Sequence, residues 1–203
     1  MTVKPNLEAK RSAAQAKTRQ RILKGARTCF ARLGIDKATI VDIAEAAQYS
    51  RPIIYKHFND KADIVDSVCL KEMQLLQRKL NVRVKRDQPF ADQLVDAILE
   101  AVLIARNNIY IKRFMEDREA WVRSQTQAGI VHVWVRDRWS AFFKRGQALG
   151  ILASDIDINE SVTWISMVQS LLLIRFASEE IDREATRHFV ERFVVRPLLA
   201  QRE

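Results

Sequence analysis

Residues 50–61 read S-R-P-I-I-Y-K-H-F-N-D-K, and they carry more polar chemistry than a short helix needs for packing. Ile54 and Phe58, spaced by four, are enough to fasten such a helix to a core, which leaves Arg51, Ile53, Tyr55, Lys56 and His57 facing outward. An arginine there can grip guanine O6 and N7 in a bidentate contact, whereas a phenol and an imidazole on one helix face suit phosphate oxygens. The expected chemistry is recognition of a polyanion, with this helix in the major groove of double-stranded DNA. Half-buried packing is the competing account of Tyr55 and His57.

The elements that must hold this face are legible from caps and spacing. Ser50 stands as an N-cap, and Pro52 falls in the first turn, where a missing N–H costs nothing. The preceding helix breaks at Gln48 and Tyr49; it starts at Thr39, whose hydroxyl can cap it, with Asp42 three residues on as an imperfect capping box. Its apolar face is Ile40, Ile43, Ala44 and Ala47, and the small alanines let a neighbouring helix approach closely. That neighbour is predicted over 17–33, where Ile22, Leu23, Ala26, Cys29, Phe30 and Leu33 recur three and four apart before Gly34. Its opposite face carries Arg19, Lys24, Arg27 and Arg32, set to meet phosphates or water. Residues 1–16 hold only Val3 and Leu7 as large aliphatics, too little burial to offset their ordering entropy, so a mobile basic arm is expected.

Charge supports this assignment through its distribution. Of a net +9 over 203 residues, positions 1–61 hold 13 Lys or Arg against 5 Asp or Glu, a net +8, while 62–203 hold 21 against 20. A basic segment on an otherwise neutral chain is what a phosphate-binding module needs, because each contact releases condensed counterions. No competing chemistry is signalled. The three histidines, His57, His132 and His188, have no ligand-spaced partners, and no phosphate loop, nucleophile elbow or paired-carboxylate motif occurs, so no metal, no cofactor and no enzyme is expected. Two cysteines and no signal peptide fit a cytoplasmic protein with free thiols, Cys29 being a buried structural one. The most apolar run, 161–174, is too short to cross a bilayer, so no membrane partner is expected.

The runs R-x-R-I-L-K-G-A-R-T-C-F-A-R-L-G, A-T-I-V-D-I-A-E-A-A and S-R-P-I-I-Y-K-H-F-N-D-K, over about 18–68, resemble the DNA-binding domain of the TetR/AcrR family of bacterial repressors. The resemblance implies an N-terminal three-helix domain and a divergent helical C-terminal domain that dimerises and binds an effector. It implies Arg51, Pro52, Ile53 and Lys56 near base edges and Thr39, Tyr55, His57 and Lys61 at backbone phosphates. Lys61 opens the next helix, where exposed N–H groups and a lysine could together hold a phosphate. The chain departs from the family twice. Gln48 stands where glycine is usual in the turn, and Ile53 replaces a common Thr or Ser, exchanging a hydroxyl for a group that can touch a thymine methyl.

Beyond the reading helix the pattern predicts an all-α chain of about nine helices. A long connecting helix spans about 60–84, with a linker at 85–89, and further helices cover 90–106, 109–123, 130–148, 159–177 and 182–199. The polar stretch 124–129 separates two of them. Domains are expected at 17–62 for DNA binding and 63–203 for effector binding and dimerisation. Aromatics in the second part either line a ligand cavity or fill a core; the candidates for an unidentified small apolar or amphipathic effector are Met73, Val102, Phe114, Trp121, Trp134, Trp164 and Met167. The helix at 159–177 is apolar nearly all round and needs burial on more than one side. A four-helix contact between two subunits would supply it, with Val168, Leu171, Leu172, Phe189 and Phe193 at the interface, and the resemblance places the homodimer contact there too. The function expected is a dimeric, ligand-responsive regulator, most simply a repressor on a palindromic operator. The alternative is a helical protein-interaction or lipophile-binding module with an incidentally basic N-terminus.

Overall fold

The structure, a computed structural model, describes residues 7–125, 129–177 and 179–200. Residues 1–6 of the expected arm and 126–128 of the expected polar stretch lie outside the described residues. The protein is all-α, with ten α-helices among the described residues: α1 Leu7–Leu33, α2 Ile40–Ala47, α3 Arg51–Tyr55, α4 Lys61–Arg83, α5 Phe90–Arg106, α6 Ile109–Glu116, α7 Arg118–Gln125, α8 Ile130–Ala148, α9 Ile158–Arg175 and α10 Arg183–Val190. After α10 the helix widens into a π turn over Glu191–Val195 and tightens into a 3-10 turn at Arg196–Leu198. The chain end then pairs with the loop after α8, where Ala153 N–H donates to the Leu198 carbonyl at 3.0 Å.

Two expectations are corrected. Helix α1 starts at Leu7 rather than near residue 17. The added turns are exposed from Ala9 to Lys17 and bury nothing, but Ala, Lys, Arg and Gln are strong helix formers, and extending a helix already anchored by packing needs no new nucleus. The segment 109–123 is also two helices, because Asp117 adopts an extended ψ of 105° and its carboxylate accepts the Ala120 N–H at 2.7 Å, capping α7.

Helices α1 and α2 pack at backbone contact. A Cβ added to Gly25 would lie 2.7 Å from the backbone nitrogen of Ala47, so only glycine permits this crossing. Cys29 Sγ, also on the buried face of α1, donates to the Asp42 carbonyl at 3.3 Å.

The apolar interior forms two clusters. One gathers Ile22, Phe30, Ile43, Ile54, Phe58 and Ile64 and also takes in Phe114, Ala120 and Val131 from α6, α7 and α8. The other joins α5, the second half of α8, α9 and α10 around Leu94, Ile98, Phe143 and Ile165. Buried Glu100 of α5 pairs with Arg83 at the end of α4, at 2.9 Å, and with Arg183 of α10; Arg187 of α10 holds Asp92 at 2.7 Å and also Asp96.

Candidate nucleic-acid interface and ligand cavity

The outward face of α3 rests on caps and on α1. Thr39 closes a complete capping box: its hydroxyl accepts the Asp42 N–H at 3.2 Å, while its own N–H and O–H donate to Asp42 Oδ2 at 2.8 and 2.6 Å. The Thr39 hydroxyl, and then its backbone N–H, hold the Asp42 carboxyl below the usual carboxylate range. Both Thr39 donors are therefore spent on Asp42. Helix α2 ends at Gln48, the described non-glycine residue with positive φ, at 58° and ψ 45°. The glycine-free turn is held by a side chain, because Arg21 donates to Gln48 Oε1 at 2.7 Å and stacks over the Tyr49 ring at 5.0 Å.

Ser50 occupies the N-cap of α3 through its carbonyl, which accepts the Ile53 N–H at 3.0 Å; its hydroxyl makes no cap bond. Ile54 and Phe58 are buried, and Arg19 lies over the Phe58 ring at 4.6 Å while donating to Ser67 Oγ at 2.8 Å. Arg51, Pro52 and Lys56 are exposed, Tyr55 is 49% exposed, and Ile53 and His57 are half-buried at the edge of the same surface. Half-buried packing thus partly holds for His57, while about half of Tyr55 is open to solvent.

The start of α4 carries acidic caps. Asp60 accepts the Asp63 N–H at 2.8 Å and Asp63 accepts the Asn59 N–H at 3.1 Å, so one first-turn N–H is taken by a carboxylate. Lys61 Nζ donates to the Asp36 carbonyl at 2.9 Å, and its remaining N–H donors stay available beside the first-turn backbone, of which Asp60 takes the Asp63 N–H.

Between α4, α5, α8 and α9 lies a cavity of about 510 Å³. Met73, Val102, Phe114, Trp121 and Trp134 line it, as expected. Trp164 and Met167 do not: they are 45% and 56% exposed on the outer face of α9. Conversely, Val168 and Leu172, expected between subunits, are buried within this one, while Leu171, Phe189 and Phe193 are exposed. A helix apolar nearly all round has no visible phase, and its neighbours decide which stripe turns inward. Trp139, Phe142 and three arginines also line the cavity and were not anticipated. One signal for the vacancy is in the sequence: Ala97, Ala101 and Ala105, one turn apart on α5, all face it and leave space that larger residues would fill.

Burial pushes the thiols of Cys29 and Cys69 up, with nearby carboxylates adding to the effect. Among the described residues no group of three or more His, Cys, Asp or Glu side chains could hold a metal ion, and no helix is long and apolar enough to cross a membrane.

A short helix with a polar, exposed face, set by a tight turn against two supporting helices, defines a helix-turn-helix DNA-binding protein. The family model described as bacterial regulatory proteins, tetR family, matches residues 22–68. The probable acrEF/envCD operon repressor of Escherichia coli (strain K12) is 33% identical over 110 residues, covering 51% of this chain and 50% of that protein. The HTH-type transcriptional regulator TtgW of Pseudomonas putida, uncharacterized, is 30% identical over 109 residues, covering 53% of this chain and 78% of that one. The chain thus spans about half the length of the first relative and over two thirds of the second. The crystal structure of RolR with its ligand resorcinol superposes with a TM-score of 0.69 at 17% identity, over 90% of both chains, which extends the shared fold beyond the DNA-binding helices. The chain belongs to the tetR family of bacterial regulatory proteins, a family of transcriptional regulators and not of enzymes.

Proposed function

We propose that the protein is a cytoplasmic, homodimeric repressor that binds a palindromic operator through α3 of each subunit and releases it when a small apolar or amphipathic molecule occupies the cavity. One observation carries the reading: α4 begins at Lys61, six residues after α3 ends at Tyr55, and its Met73, Leu76 and Leu80 line the cavity. A ligand that alters the seat of α4 acts on the recognition helix through one rigid element. A coupling of about 1–3 kcal/mol would change operator affinity roughly 5- to 150-fold. The relative named as an operon repressor and the RolR structure with bound resorcinol support repression and ligand response.

In this reading residues 17–62 form the DNA-binding unit and 63–203 the effector-binding and dimerisation unit. Arg51, Pro52, Ile53 and Lys56 stand at base edges, with Thr39, Tyr55, His57 and Lys61 at phosphates; Thr39, which is exposed, meets its phosphate by turning its hydroxyl donor away from Asp42. The dimer forms through the exposed stripe Trp164, Met167, Leu171 and Ile174 of α9, spaced three and four apart, with Phe189 and Phe193 of the last helix, whose rings lie 5.5 Å apart. An apolar surface of this kind on a monomer marks an interaction site. Val168 and Leu172 support that face from within.

The test is binding of the purified chain to duplex DNA from upstream of its own gene, read by fluorescence anisotropy at several salt concentrations, together with sedimentation of Leu171→Glu. Salt-sensitive, sequence-selective binding by a dimer, and a monomeric variant with weakened operator binding, are expected. Equal affinity for random DNA would overturn the reading.

A further inference from the structure

The cavity lining carries three guanidiniums, Arg86, Arg138 and Arg145, and neither an aspartate nor a glutamate. None of the three forms an ion pair with any described residue. Their neighbours behave otherwise. Arg83, Arg183 and Arg187, packed around α5, are each matched to Glu100, Asp92 or Asp96. Arg106 at the end of α5 also lacks an ion pair among the described residues but donates to the Glu179 carbonyl away from the cavity, so Arg86, Arg138 and Arg145 are the guanidiniums without a carboxylate partner on the cavity lining.

Arg145 is also held in place by neutral groups. It donates to Gln93 Oε1 at 2.9 Å and lies over the rings of Phe90 and Phe142 at 5.3 and 5.1 Å. Gln93, itself buried, is fixed in turn, since its amide donates to the carbonyls of Gln88 at 2.8 Å and Arg86 at 3.2 Å. The guanidinium, on an exposed residue like Arg86 and Arg138, is oriented at the cavity mouth without a carboxylate partner, and the same glutamine keeps the α4–α5 loop bearing Arg86 beside it. Arg138 precedes Arg145 by seven residues on α8, two turns away on the same helix face. Along α8 from Arg145 to Val131 is about 21 Å, and the far end of the lining holds Phe114, Trp121 and Val131, with His132 as its polar side chain beside Val131. The site is positive at one end and aromatic at the other.

We propose that the cavity takes an amphipathic organic anion, its acid group at Arg145 with Arg86 and Arg138 at the rim, and its apolar body against the tryptophans. The inference rests on the cavity being the effector site, and it adds the sign of the ligand's charge. A planar or extended apolar body suits Trp121, Trp134 and Trp139, whereas a cationic amphiphile meets three like charges and no counter-charge.

Three probes with one ten-carbon chain test it on the intact protein by quenching of tryptophan fluorescence: decanoate, 1-decanol and decyltrimethylammonium. Decanoate is expected to bind at least tenfold more tightly than decanol, with the ammonium weakest. Arg145→Gln should shrink the decanoate-to-decanol ratio towards one, and Arg145→Lys should largely keep it. Decanol binding as tightly as decanoate, the ammonium binding best, a ratio unmoved by the triple Gln variant of Arg86, Arg138 and Arg145, or no quenching by any probe would each overturn the proposal. Displacement of operator DNA is measured separately. If decanoate binds with the expected preference and DNA stays bound, the ligand-released reading fails while the anion preference stands.

Discussion

The guanidinium of Arg27 on α1 stands 2.9 Å from the carboxylate of Glu72 on α4, and Glu72 is 2% exposed. The contact is ionic without hydrogen-bond alignment at Oε1, and the second oxygen accepts Asn108 Nδ2–H at 2.8 Å. Arg27 also lies over the Tyr110 ring at 4.4 Å. One buried charge thereby joins the DNA-binding helices to α4 and to the N-cap of α6. Its desolvation is tolerable only because both partners are present.

Glu72→Ala leaves Arg27 and Asn108 without their acceptor and opens a void in the core. Because Arg27 is partly exposed, the loss is expected to fall below that of a fully buried pair, at about 1–3 kcal/mol. Urea unfolding followed by far-UV circular dichroism measures it. A midpoint equal to that of the parent protein would show that the pair does not hold α1 to α4.

Gly25→Ala puts a methyl group against the backbone of Ala47, where a side chain cannot swing aside. A destabilisation of about 1–3 kcal/mol is expected, with weaker operator binding because α2 carries α3 with it. Thermal unfolding and anisotropy on the same sample separate the two effects. Unchanged stability would mean that the α1–α2 crossing adjusts freely.

On the outward face, Arg51→Ala is expected to cost about 1–3 kcal/mol on the operator and to relax base preference. Tyr55→Phe combined with Lys61→Ala should weaken specific and random DNA alike, and lower the dependence of log affinity on log salt by about one unit for the lost lysine. Equal losses on specific and random DNA for Arg51→Ala would contradict a base contact.

Asp42 gives a pH signature. Its carboxyl is held low by Thr39 in the folded protein, so the capping box contributes stability fully above the ordinary carboxylate pKa of about 4 and loses it as pH falls from there through the lower folded-state pKa. The stability gap between the parent and Thr39→Val is therefore expected to stay constant from pH 7 to about 5 and to narrow below about 4. A gap that does not change with pH would separate Asp42 from the box.

Much of the DNA-binding unit was legible because its signals are local. Thr39 with Asp42, the pair Ile54 and Phe58, and Gly34 after α1 each act within a few residues, and the bounds of α5 followed from Pro89 and the Asn107-Asn108 break. Gln48 was marked as a departure, but its remedy was not visible, since Arg21 reaches it from another helix. The faces of α9 were not legible for the reason already given, that Trp164 and Leu172 are equally apolar and only packing tells them apart. The arginines at the cavity carry no signal in the sequence, since the Gln93 and Phe90 side chains that orient Arg145 reach it from another helix.

Phe114, Ala120 and Val131 share one apolar cluster with Ile22 and Ile43, so the seam between the two cores runs through α6 to α8 and not through the chain after α3. The part of the molecule that opens cooperatively is therefore expected to differ from the part that touches DNA. Amide protons of α6 and of the first turns of α8 should exchange with solvent on the timescale of those in α2, and more slowly when operator DNA is bound, although they lie far along the sequence from any phosphate contact. A fragment ending near residue 68 would keep the whole recognition helix yet lack part of the interior that holds it still.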